Sequence, residues 1–471
     1  MTNLIFELNR ESKIALGRQL INHLKRQISE NILKKNDKLP SSRSLAKNLN
    51  VSRIITLSAY EQLIAEGYLI AKTGSGTFVS VNIPETPSHK SHNYTGPKWF
   101  KPQARKTNDI DDQDNHALYD FSIGPPAVNL LPKNSWKRAW RKALDQSLIG
   151  TRTERGGVLS LRQEIAYHLN RSRNIDCHPD NIIITSGTAE TLRLISKAMA
   201  EFSPITYCEY PCFEIAEQWL SDNIRPINID ENGLIASELP QKTDQPTMLF
   251  CTPSHQFPLG FRLSLKRRNE ILQWAQNNDA LILEDDYDSE FHYDTMPLPT
   301  LKSQDETGQV VYFSSFSKSI SPNIKIGYLI APDNLCEVLK NIIFQEHADP
   351  PYLMQNAMAY FIKDGALDKH IAKSRRHYGK LNKIIREKLR NLPNSIKLFG
   401  LDSGIHCFLS FEKFPDQLMK NLAKKSFHLP LSIDKGKWHG FALGYGHFEE
   451  EDLKQALVIL RSEIEKLYPE L

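Results

Sequence analysis

The sequence lacks any long apolar run, any secretion signal and any paired arrangement of cysteines. None of its stretches reaches the roughly 18 consecutive apolar residues that a helix needs to cross a bilayer. The first residues, MTNLIFELNRESK, lack the basic-then-apolar order of a signal peptide. The 6 cysteines are scattered without CxxC spacing, which argues against structural zinc and against a disulfide framework. We therefore expect a cytoplasmic protein with no membrane partner and no metal site.

Positive charge is concentrated at the N-terminal end of an otherwise ordinary composition. The 471 residues are 40% apolar and 24% charged, which allows a large core, and at about 150 residues per domain they suggest about three units. Residues 1–80 contain 12 Lys and Arg against 6 Asp and Glu, a net charge of +6. The rest contains 47 against 49, a net charge of −2. The basic segment is either a solvated face or a nucleic-acid-binding module.

Hydrophobic spacing in residues 1–80 predicts three helices and a hairpin. Apolar residues recur at helical spacing from Ser12 to Leu33. Ser41 or Ser42 can cap a second, short helix, and Ser52 can cap a third helix after a tight turn. Two short helices across such a turn form a helix-turn-helix. The segment YLIAKTGSGTFVS then predicts two strands, and its glycine-rich turn opens no helix, which favours a hairpin wing over a phosphate loop.

Hydroxyl and arginine side chains cluster at the starts of the two short helices. In a docked helix-turn-helix the start of the second helix faces base edges, while hydroxyls and amides contact phosphates. The alternative is that these residues are only helix caps and solvated charges. The candidate DNA-binding residues of the helices are Ser42, Arg43, Ser52, Arg53 and Thr56.

The same segment resembles the winged helix-turn-helix of GntR-type bacterial regulators. The stretches LPSSRSLAKNLNVSR, AYEQLIAEGYL and GSGTFV carry the resemblance. It implies that Arg43, Arg53 and Thr56 contact double-stranded operator DNA. It also implies a wing tip at Gly74, Ser75 and Gly76 near the minor groove.

Residues 81–117 predict a flexible linker between two parts of the chain. Pro, Ser, Thr, Asn and charged residues dominate this stretch, and it has no hydrophobic periodicity. A structureless segment of this length indicates a domain boundary. We therefore expect a DNA-binding domain at 1–80, a linker at 81–117 and a large domain at 118–471.

The large domain shows an alternation of strand-like and helical segments. Six apolar runs predict strands: NIIITS, PITYCEY, PTMLFCTPS, ALILEDDY, VVYFSS and GYLIAP. Alternation with amphipathic stretches is typical of a mostly parallel sheet covered by helices. Ligands of such folds bind where the strands end.

Three polar clusters follow predicted strands. The acidic residues 284–286 need a cationic partner if one is buried, although a solvated turn, a helix start or a magnesium site would also use them. Residues 186–188, SGT, open a helix and could bind an anion, although a simple capped helix is at least as common. Lys318, in SFSKSISP, is either a surface lysine or a partly buried amine that forms a Schiff base with an aldehyde.

Pyridoxal 5'-phosphate requires these groups together: an amine, an anion site, a carboxylate for its ring nitrogen and an aromatic face. Their order resembles fold-type-I aminotransferases. With the N-terminal segment, TPSHQFPLG, EDDYDSEFHY and SFSKSISP resemble the MocR-type regulators over nearly the whole chain. The resemblance implies a winged helix-turn-helix joined to an α/β, fold-type-I, aminotransferase-like domain that binds pyridoxal phosphate, in a homodimer.

The resemblance also assigns roles to residues. Lys318 is the Schiff-base lysine, Asp285 pairs with the pyridine nitrogen and Tyr287 approaches the ring hydroxyl. Phe213 takes the place of the aromatic residue that stacks on the ring. The phosphate contacts and the remaining pocket residues are Gly187, Thr188, Ser315, Lys325 and Gln256.

Three departures from the family pattern weaken parts of this assignment. Lys325 stands where an arginine usually grips the phosphate, so charge is kept but the bidentate fork is lost. A tyrosine that would reach the partner subunit's phosphate is missing, with Arg152 or Arg155 as substitutes. The arginine that binds a substrate carboxylate is absent near Ala442, where Lys435, Lys437 and His439 are the nearest cations or potential cations in sequence.

We therefore expect a DNA-binding transcriptional regulator whose cofactor-binding domain senses pyridoxal phosphate or an amine effector, in the control of vitamin B6 or amino-compound metabolism. The alternative is a working aminotransferase with an appended DNA-binding module. The missing carboxylate arginine argues against efficient turnover by such an enzyme. A third hypothesis is a regulator whose pocket no longer holds the cofactor.

Overall fold

The computed structural model describes residues 8–12, 14–80, 117–145, 154–220, 223–293 and 296–469. They fall into two compact units, one within Met1–Arg105 and the other within Lys106–Leu471. The predicted linker lies outside the described residues except for Ala117. Among the described helices, none is long and apolar enough to cross a membrane.

The first unit consists of three helices followed by a two-stranded hairpin. Its elements are α1 (Leu16–Ser29), α2 (Ser42–Asn48), α3 (Arg53–Ala65), β1 (Leu69–Lys72) and β2 (Gly76–Val79). The strands pair antiparallel, with Leu69 opposite Val79. Buried aliphatic side chains from all three helices and from the hairpin form one core, which fixes α2 and α3 as the predicted helix-turn-helix.

Helix α1 is shorter than the sequence predicts. The periodic apolar pattern runs from Ser12 to Leu33, but Asn31 adopts a left-handed φ of 57° just beyond the helix end. Such a residue ends a helix because the following backbone can no longer continue the hydrogen-bond ladder. Ile14 and Ile32, which fit the helical spacing, lie outside the helix and are exposed.

The second unit is built on an eight-stranded mixed sheet in the order β4-β11-β10-β9-β8-β5-β6-β7. The strands are β4 (Ile182–Thr185), β5 (Ile205–Tyr210), β6 (Ile224–Asp230), β7 (Gly233–Leu234), β8 (Thr247–Cys251), β9 (Leu281–Asp285), β10 (Val310–Ser315) and β11 (Gly327–Ile330). Neighbours from β10 through β6 are parallel, while β11 runs antiparallel to both β10 and β4. All six predicted strands are present.

A smaller antiparallel sheet, in the order β12-β13-β16-β15, lies in the C-terminal part of the second unit. Its strands are β12 (Ile396–Phe399), β13 (His406–Phe411), β15 (Ser432–Lys435) and β16 (Trp438–Gly444). A separate parallel pair joins β3 (Tyr119–Asp120) to β14 (Phe427–His428), so the start of the unit is tied to its C-terminal part.

Helices cover the large sheet on both faces, and others pack together in the C-terminal part of the second unit. The described helices of this unit are α4 (Lys133–Asp145), α5 (Leu159–Arg173), α6 (Thr188–Met199), α7 (Glu214–Trp219), α8 (Leu265–Asn278), α9 (Asp333–Glu346), α10 (Tyr352–Lys363), α11 (Ala366–Lys388), α12 (Asp416–Ala423) and α13 (Glu450–Leu467). Side chains alternate between the faces: Ile182 and Ile184 pack into one core, while Ile183 packs into another. The predicted combination of a winged helix-turn-helix and a helix-covered α/β domain is confirmed.

Candidate functional site

The polar residues predicted to act together follow strands that end at the same edge of the large sheet. Asp285 is the last residue of β9, and Ser315 is the last residue of β10. These two strands are parallel, with Phe313 opposite Asp285. The lysine loop that follows β10 and the acidic turn that follows β9 are therefore neighbours.

A cavity of about 380 Å³ lies at this edge. It brings together residues from the start of α6, the loop before α7, the ends of β9 and β10, and the loops after β8, β9 and β10. Eight of the nine predicted cofactor residues line it: Gly187, Thr188, Phe213, Asp285, Tyr287, Ser315, Lys318 and Lys325.

The three consecutive carboxylates at the end of β9 have three different environments. Glu284 accepts hydrogen bonds from the backbone N–H groups of Leu301 and Lys302, at 2.9 and 2.8 Å. Asp286 accepts from the Tyr312 hydroxyl at 2.7 Å and pairs with an arginine, Arg173, at 3.0 Å. Only the middle residue lines the cavity, because side chains alternate in direction along the strand end.

The electrostatic environment of Asp285 is unfavourable without a cationic partner. The residue is 4% exposed, and its Oδ1 has no hydrogen-bond partner among the described residues. Burial raises its pKa well above the ordinary value, the Asp286 charge adds to the rise, and Lys318 opposes it. A cation placed against this carboxylate would restore its charged form.

Lys318 has the complementary environment. Burial lowers the pKa of its amine, and the charges of Asp288 and Asp285 partly oppose that change. A lowered pKa increases the fraction of neutral amine at a given pH, and only the neutral amine can attack a carbonyl carbon. The lysine can therefore act as a nucleophile.

The position of the Lys318 amine depends on a residue distant in sequence. A Cβ atom on Gly124 would lie 2.2 Å from Lys318 Nζ, and Gly124 has a φ of 121°. Both facts require glycine, because any side chain there would displace the amine. On the other side of the loop, His370 Nε2 lies 2.7 Å from the Ser319 carbonyl and holds the loop backbone.

Aromatic rings form one wall of the cavity. Phe213 and Phe257 contact each other edge to face at 5.2 Å between centroids, and Phe257 contacts Tyr287 similarly at 6.0 Å. The Tyr287 hydroxyl donates to the His255 carbonyl at 2.8 Å. Its oxygen therefore remains able to accept a hydrogen bond from a group in the cavity.

The start of α6 forms the anion-binding corner of the cavity. Gly187 precedes the helix with a φ of 126°, which places Thr188 at its first position. The free backbone N–H groups and the helix dipole favour an anion there. In this structure the corner is used by the protein itself, because Glu190 Oε2 accepts a hydrogen bond from the Ser186 N–H at 2.5 Å.

Gln256 is the predicted cofactor residue whose side chain does not face the cavity. Its Nε2 donates to the carbonyls of Pro211 and Phe257, at 3.0 and 2.6 Å, and its Oε1 accepts from Leu259 N–H. These bonds connect the loop before Phe213 to the loop that carries Phe257. The Gln256 side chain thus holds the backbone of the loops that carry the aromatic wall, and it is not among the residues that line the cavity.

Seven lining residues are not among the nine predicted cofactor residues: Ser186, Ala189, Glu190, Thr252, Phe257, Ser317 and Pro322. Six of them lie within or directly beside the stretches SGT, TPSHQFPLG and SFSKSISP. Their position in or beside these stretches was the sequence signal that could have identified them as lining residues. The direction of each side chain depends on the loop backbone, which the stretches do not specify.

Three buried side chains, those of His255, Asp288 and His406, form a cluster beside the aromatic wall. His255 Nδ1 is 3.1 Å from Asp288 Oδ1, and His406 Nδ1 is 3.9 Å from Asp288 Oδ2. Burial lowers the pKa of His406 to about 3, with the neighbouring His255 adding to the fall. Burial would raise the pKa of Asp288, but His255 and His406 lower it below the ordinary value. The cluster therefore keeps an anion near Lys318.

The position of the absent carboxylate arginine is an interior strand position. Ala442 lies in β16, is fully buried and pairs with Phe408 of β13. Lys435 contacts the Tyr210 ring and Lys437 contacts the Trp438 ring. Among the residues described, the cations that line the cavity are Lys318 and Lys325.

Of the two arginines that could replace the missing tyrosine, the structure describes Arg155. Arg152 lies outside the described residues. Arg155 donates to Asn341 at 2.9 Å and stacks on the Phe344 ring at 4.5 Å. Its guanidinium is therefore engaged on α9.

In the first unit, most predicted DNA-binding residues are exposed. Arg43 and Arg53 extend into solvent at the starts of α2 and α3, and the hairpin turn is exposed. The exposed turn residues are Gly74, Ser75 and Gly76. Ser41 is the residue that caps α2, by accepting from the Ser44 N–H at 3.1 Å, while Ser42 is half-buried.

Thr56 does not fit its predicted role. The residue is fully buried, and its hydroxyl contacts the carbonyls of Ser42 and Arg53 at 2.8 and 3.0 Å. It thus connects α2 to α3 inside the unit. Helical periodicity explains the difference, because Thr56 lies on the same face of α3 as Ala59, Tyr60 and Leu63.

Comparison with protein families matches both units. The family of bacterial regulatory proteins named gntR matches residues 16–79, and the family aminotransferase class I and II matches residues 119–431. An uncharacterized helix-turn-helix transcriptional regulator, YhdI of Bacillus subtilis, is 32% identical and covers 97% of each chain. The pyridoxine biosynthesis transcriptional regulator PdxR of Corynebacterium glutamicum is 31% identical over 97% of this chain and 98% of its own.

Solved structures show the fold of the second unit. A multiple substrate aminotransferase from Thermococcus profundus has a TM-score of 0.66 at 21% identity, covering 75% of this chain and 92% of its own.

A further sequence relative covers both units. The probable rhizopine catabolism regulatory protein MocR of Rhizobium meliloti is 27% identical over 97% of this chain and 95% of its own. The fold and the matches define a transcriptional regulator with an aminotransferase-like domain.

The chain belongs to the MocR-type regulators, which join a GntR-type winged helix-turn-helix to an aminotransferase class I and II domain.

Arg53 is exposed and Thr56 is buried, so substitutions of these two residues of α3 should have different effects on DNA binding and on stability. We expect Arg53→Ala to weaken binding to all duplex DNA and to reduce the slope of log affinity against log salt by about one. We expect Thr56→Val to leave the DNA affinity of the folded protein nearly unchanged and to cost about 1 kcal/mol of stability. Fluorescence anisotropy at several salt concentrations, with thermal unfolding of the full chain, measures both. A large loss of DNA affinity in folded Thr56→Val would contradict the buried role.

Proposed function

We propose that this regulator binds pyridoxal 5'-phosphate in the 380 Å³ cavity and that the bound cofactor controls its binding to operator DNA. The observation that carries the proposal is the pairing of a buried carboxylate, Asp285, with a half-buried lysine, Lys318, in one cavity. The helix start at Thr188 and the aromatic wall complete the set of groups that this cofactor needs.

The residues fit the cofactor group by group. The partnerless Asp285 Oδ1 matches a protonated pyridine nitrogen, which supplies the cation that this carboxylate lacks. Phe213 offers a face for the ring, and Tyr287 offers a hydroxyl oxygen to the ring's own hydroxyl. Thr188, Ser315 and the N–H groups of α6 would hold the phosphate, with Lys325 supplying the balancing charge.

When bound, the cofactor supplies an electrophilic aldehyde and a ring that can accept electrons. Lys318 would attach to that aldehyde through its neutral amine, whose fraction is increased by burial. Asp285 would hold the proton on the ring nitrogen, and the Phe213 and Phe257 rings would exclude water from one side. The same aldehyde is the group that an amine effector would recognise.

The sensed molecule is either the cofactor itself or an amine without a carboxylate. Among the described residues, the cations that line the cavity are Lys318 and Lys325, and the aldehyde and phosphate of the cofactor would use both of them. The buried Ala442 offers no cation for a carboxylate. A relative that matches nearly the whole chain is named for regulation of pyridoxine biosynthesis, which supports vitamin B6 as the signal. We therefore place this regulator in the control of vitamin B6 or amino-compound metabolism, as a cytoplasmic homodimer on operator DNA.

An active aminotransferase with a DNA-binding module is the second candidate. The paired Asp285 and Lys318 and the aminotransferase fold favour it. Turnover also requires orientation of a substrate, and the cavity lacks a further cation among its described lining residues for a substrate carboxylate. Regulation with little turnover is the function that the geometry supports better.

Removal of the lysine tests the cofactor proposal. We expect the protein mixed with pyridoxal phosphate to show a visible absorption band and to be trapped covalently at Lys318 by borohydride, as peptide mass spectrometry would show. Lys318→Ala should lose the band and the label, because its cavity lacks the amine that attaches to the aldehyde. Lys397→Ala, a substitution on β12 outside this cavity, should keep both. A label on other lysines alone would reject the assignment.

Removal of one carboxylate should strengthen binding of the phosphate. Glu190 occupies the Ser186 N–H and places negative charge at the anion corner, so Glu190→Gln should lower the Kd for pyridoxal phosphate about threefold or more. Lys325→Arg should act in the same direction by restoring a bidentate donor. Absorbance titration measures both, with Glu201→Gln beyond the far end of α6 as the control. Weaker binding in Glu190→Gln would show that this carboxylate supports the site.

A further inference from the structure

The solvent face of α3 carries two large aliphatic side chains. Ile54 is 77% exposed and Leu57 is 43% exposed. They are three positions apart and therefore share one face of the helix. The opposite face buries Thr56, Ala59, Tyr60 and Leu63 in the core of the first unit. The first two turns of α3 thus carry aliphatic side chains on the outer face as well, and packing within the unit does not explain them.

The surroundings of these two side chains are cationic. Arg53 precedes Ile54 directly, and Arg43 and Lys47 are exposed on the neighbouring helix of the motif. The centre of a protein–protein interface is usually depleted of charged residues, whereas a DNA-binding surface combines cations for phosphates with groups that contact bases. A duplex is therefore the occupant that this mixture fits.

Duplex DNA offers one apolar group on its base edges in the major groove, the 5-methyl group of thymine. We propose that Ile54 and Leu57 contact thymine methyl groups and select thymine at these positions of the operator. The proposal rests on the proposed binding of α3 to operator DNA. Neither side chain can form a hydrogen bond, so discrimination comes from burial of the methyl group against an aliphatic surface.

The contact is confined to the first two turns of α3. Glu61, one turn beyond Leu57 on the same face, is exposed and carries a negative charge that phosphates would repel. Ser52 and Arg53 at the helix start supply the polar and cationic contacts beside the aliphatic pair. The operator should therefore place its thymines next to a position where an arginine contacts the DNA.

The methyl group can be removed from the DNA without any other change. The full-length protein first selects its preferred sites from a pool of duplexes with a random central segment. Each thymine of the selected sequence is then replaced by deoxyuridine, and affinities are measured by fluorescence anisotropy. We expect the wild-type protein to lose about fourfold in affinity for each contacted thymine. Ile54→Ala should bind the thymine duplex more weakly and respond less than twofold to one of these replacements.

Ile32→Ala is the matched control, because Ile32 is also aliphatic and 59% exposed in the same unit but lies outside the helix-turn-helix. It should respond to deoxyuridine as the wild type does. If a sequence is selected but deoxyuridine has no effect, or if Ile54→Ala keeps the full effect, the thymine contact is wrong and operator binding stands. If no sequence is enriched, the proposed function itself fails. A change of oligomeric state in Ile54→Ala would instead identify a protein interface and overturn the inference.

Discussion

The placement of two opposite charges in one cavity, the buried carboxyl of Asp285 and the amine of the half-buried Lys318, is the constraint on which the proposed site depends. Burial raises the pKa of Asp285 and lowers that of Lys318, so both groups are held away from their ordinary charged states. The parallel pairing of β9 with β10 brings them to one sheet edge, and Gly124 leaves the space that the amine needs. A ligand with a ring cation and an aldehyde would relieve both costs at once.

Much of the fold could be predicted because its local signals agree. Six apolar runs bounded by polar residues all became strands, since a buried strand needs this pattern. The strand β6 and the small antiparallel sheet were not predicted, and two further features were missed as well. The left-handed conformation of Asn31 ends α1 before the apolar periodicity does, and the antiparallel direction of β11 depends on its partners rather than on its own residues.

The candidate site was predictable to the level of its motifs but not of its side-chain directions. Gln256 belongs to a motif of the site, yet it supports the loops behind the aromatic wall. Thr56 belongs to the recognition helix, yet it faces the core. Glu190 follows the SGT stretch and occupies the anion corner, which only the backbone geometry of α6 reveals. Three-dimensional packing determines the direction in which each side chain points, and a sequence motif does not specify that direction.

Control of DNA binding by the cavity, as proposed, requires an energetic coupling between the two units. A ligand shifts an equilibrium between conformations only by the difference between its affinities for them, and coupling between two sites is reciprocal. The most direct measurement is therefore the Kd of the full-length protein for its selected DNA with and without saturating pyridoxal phosphate. The predicted result is a change of about fivefold or more, matched by an equal change in cofactor affinity on adding DNA. Equal DNA affinities in both states, with the cofactor shown to be bound, would contradict control of DNA binding by the cavity.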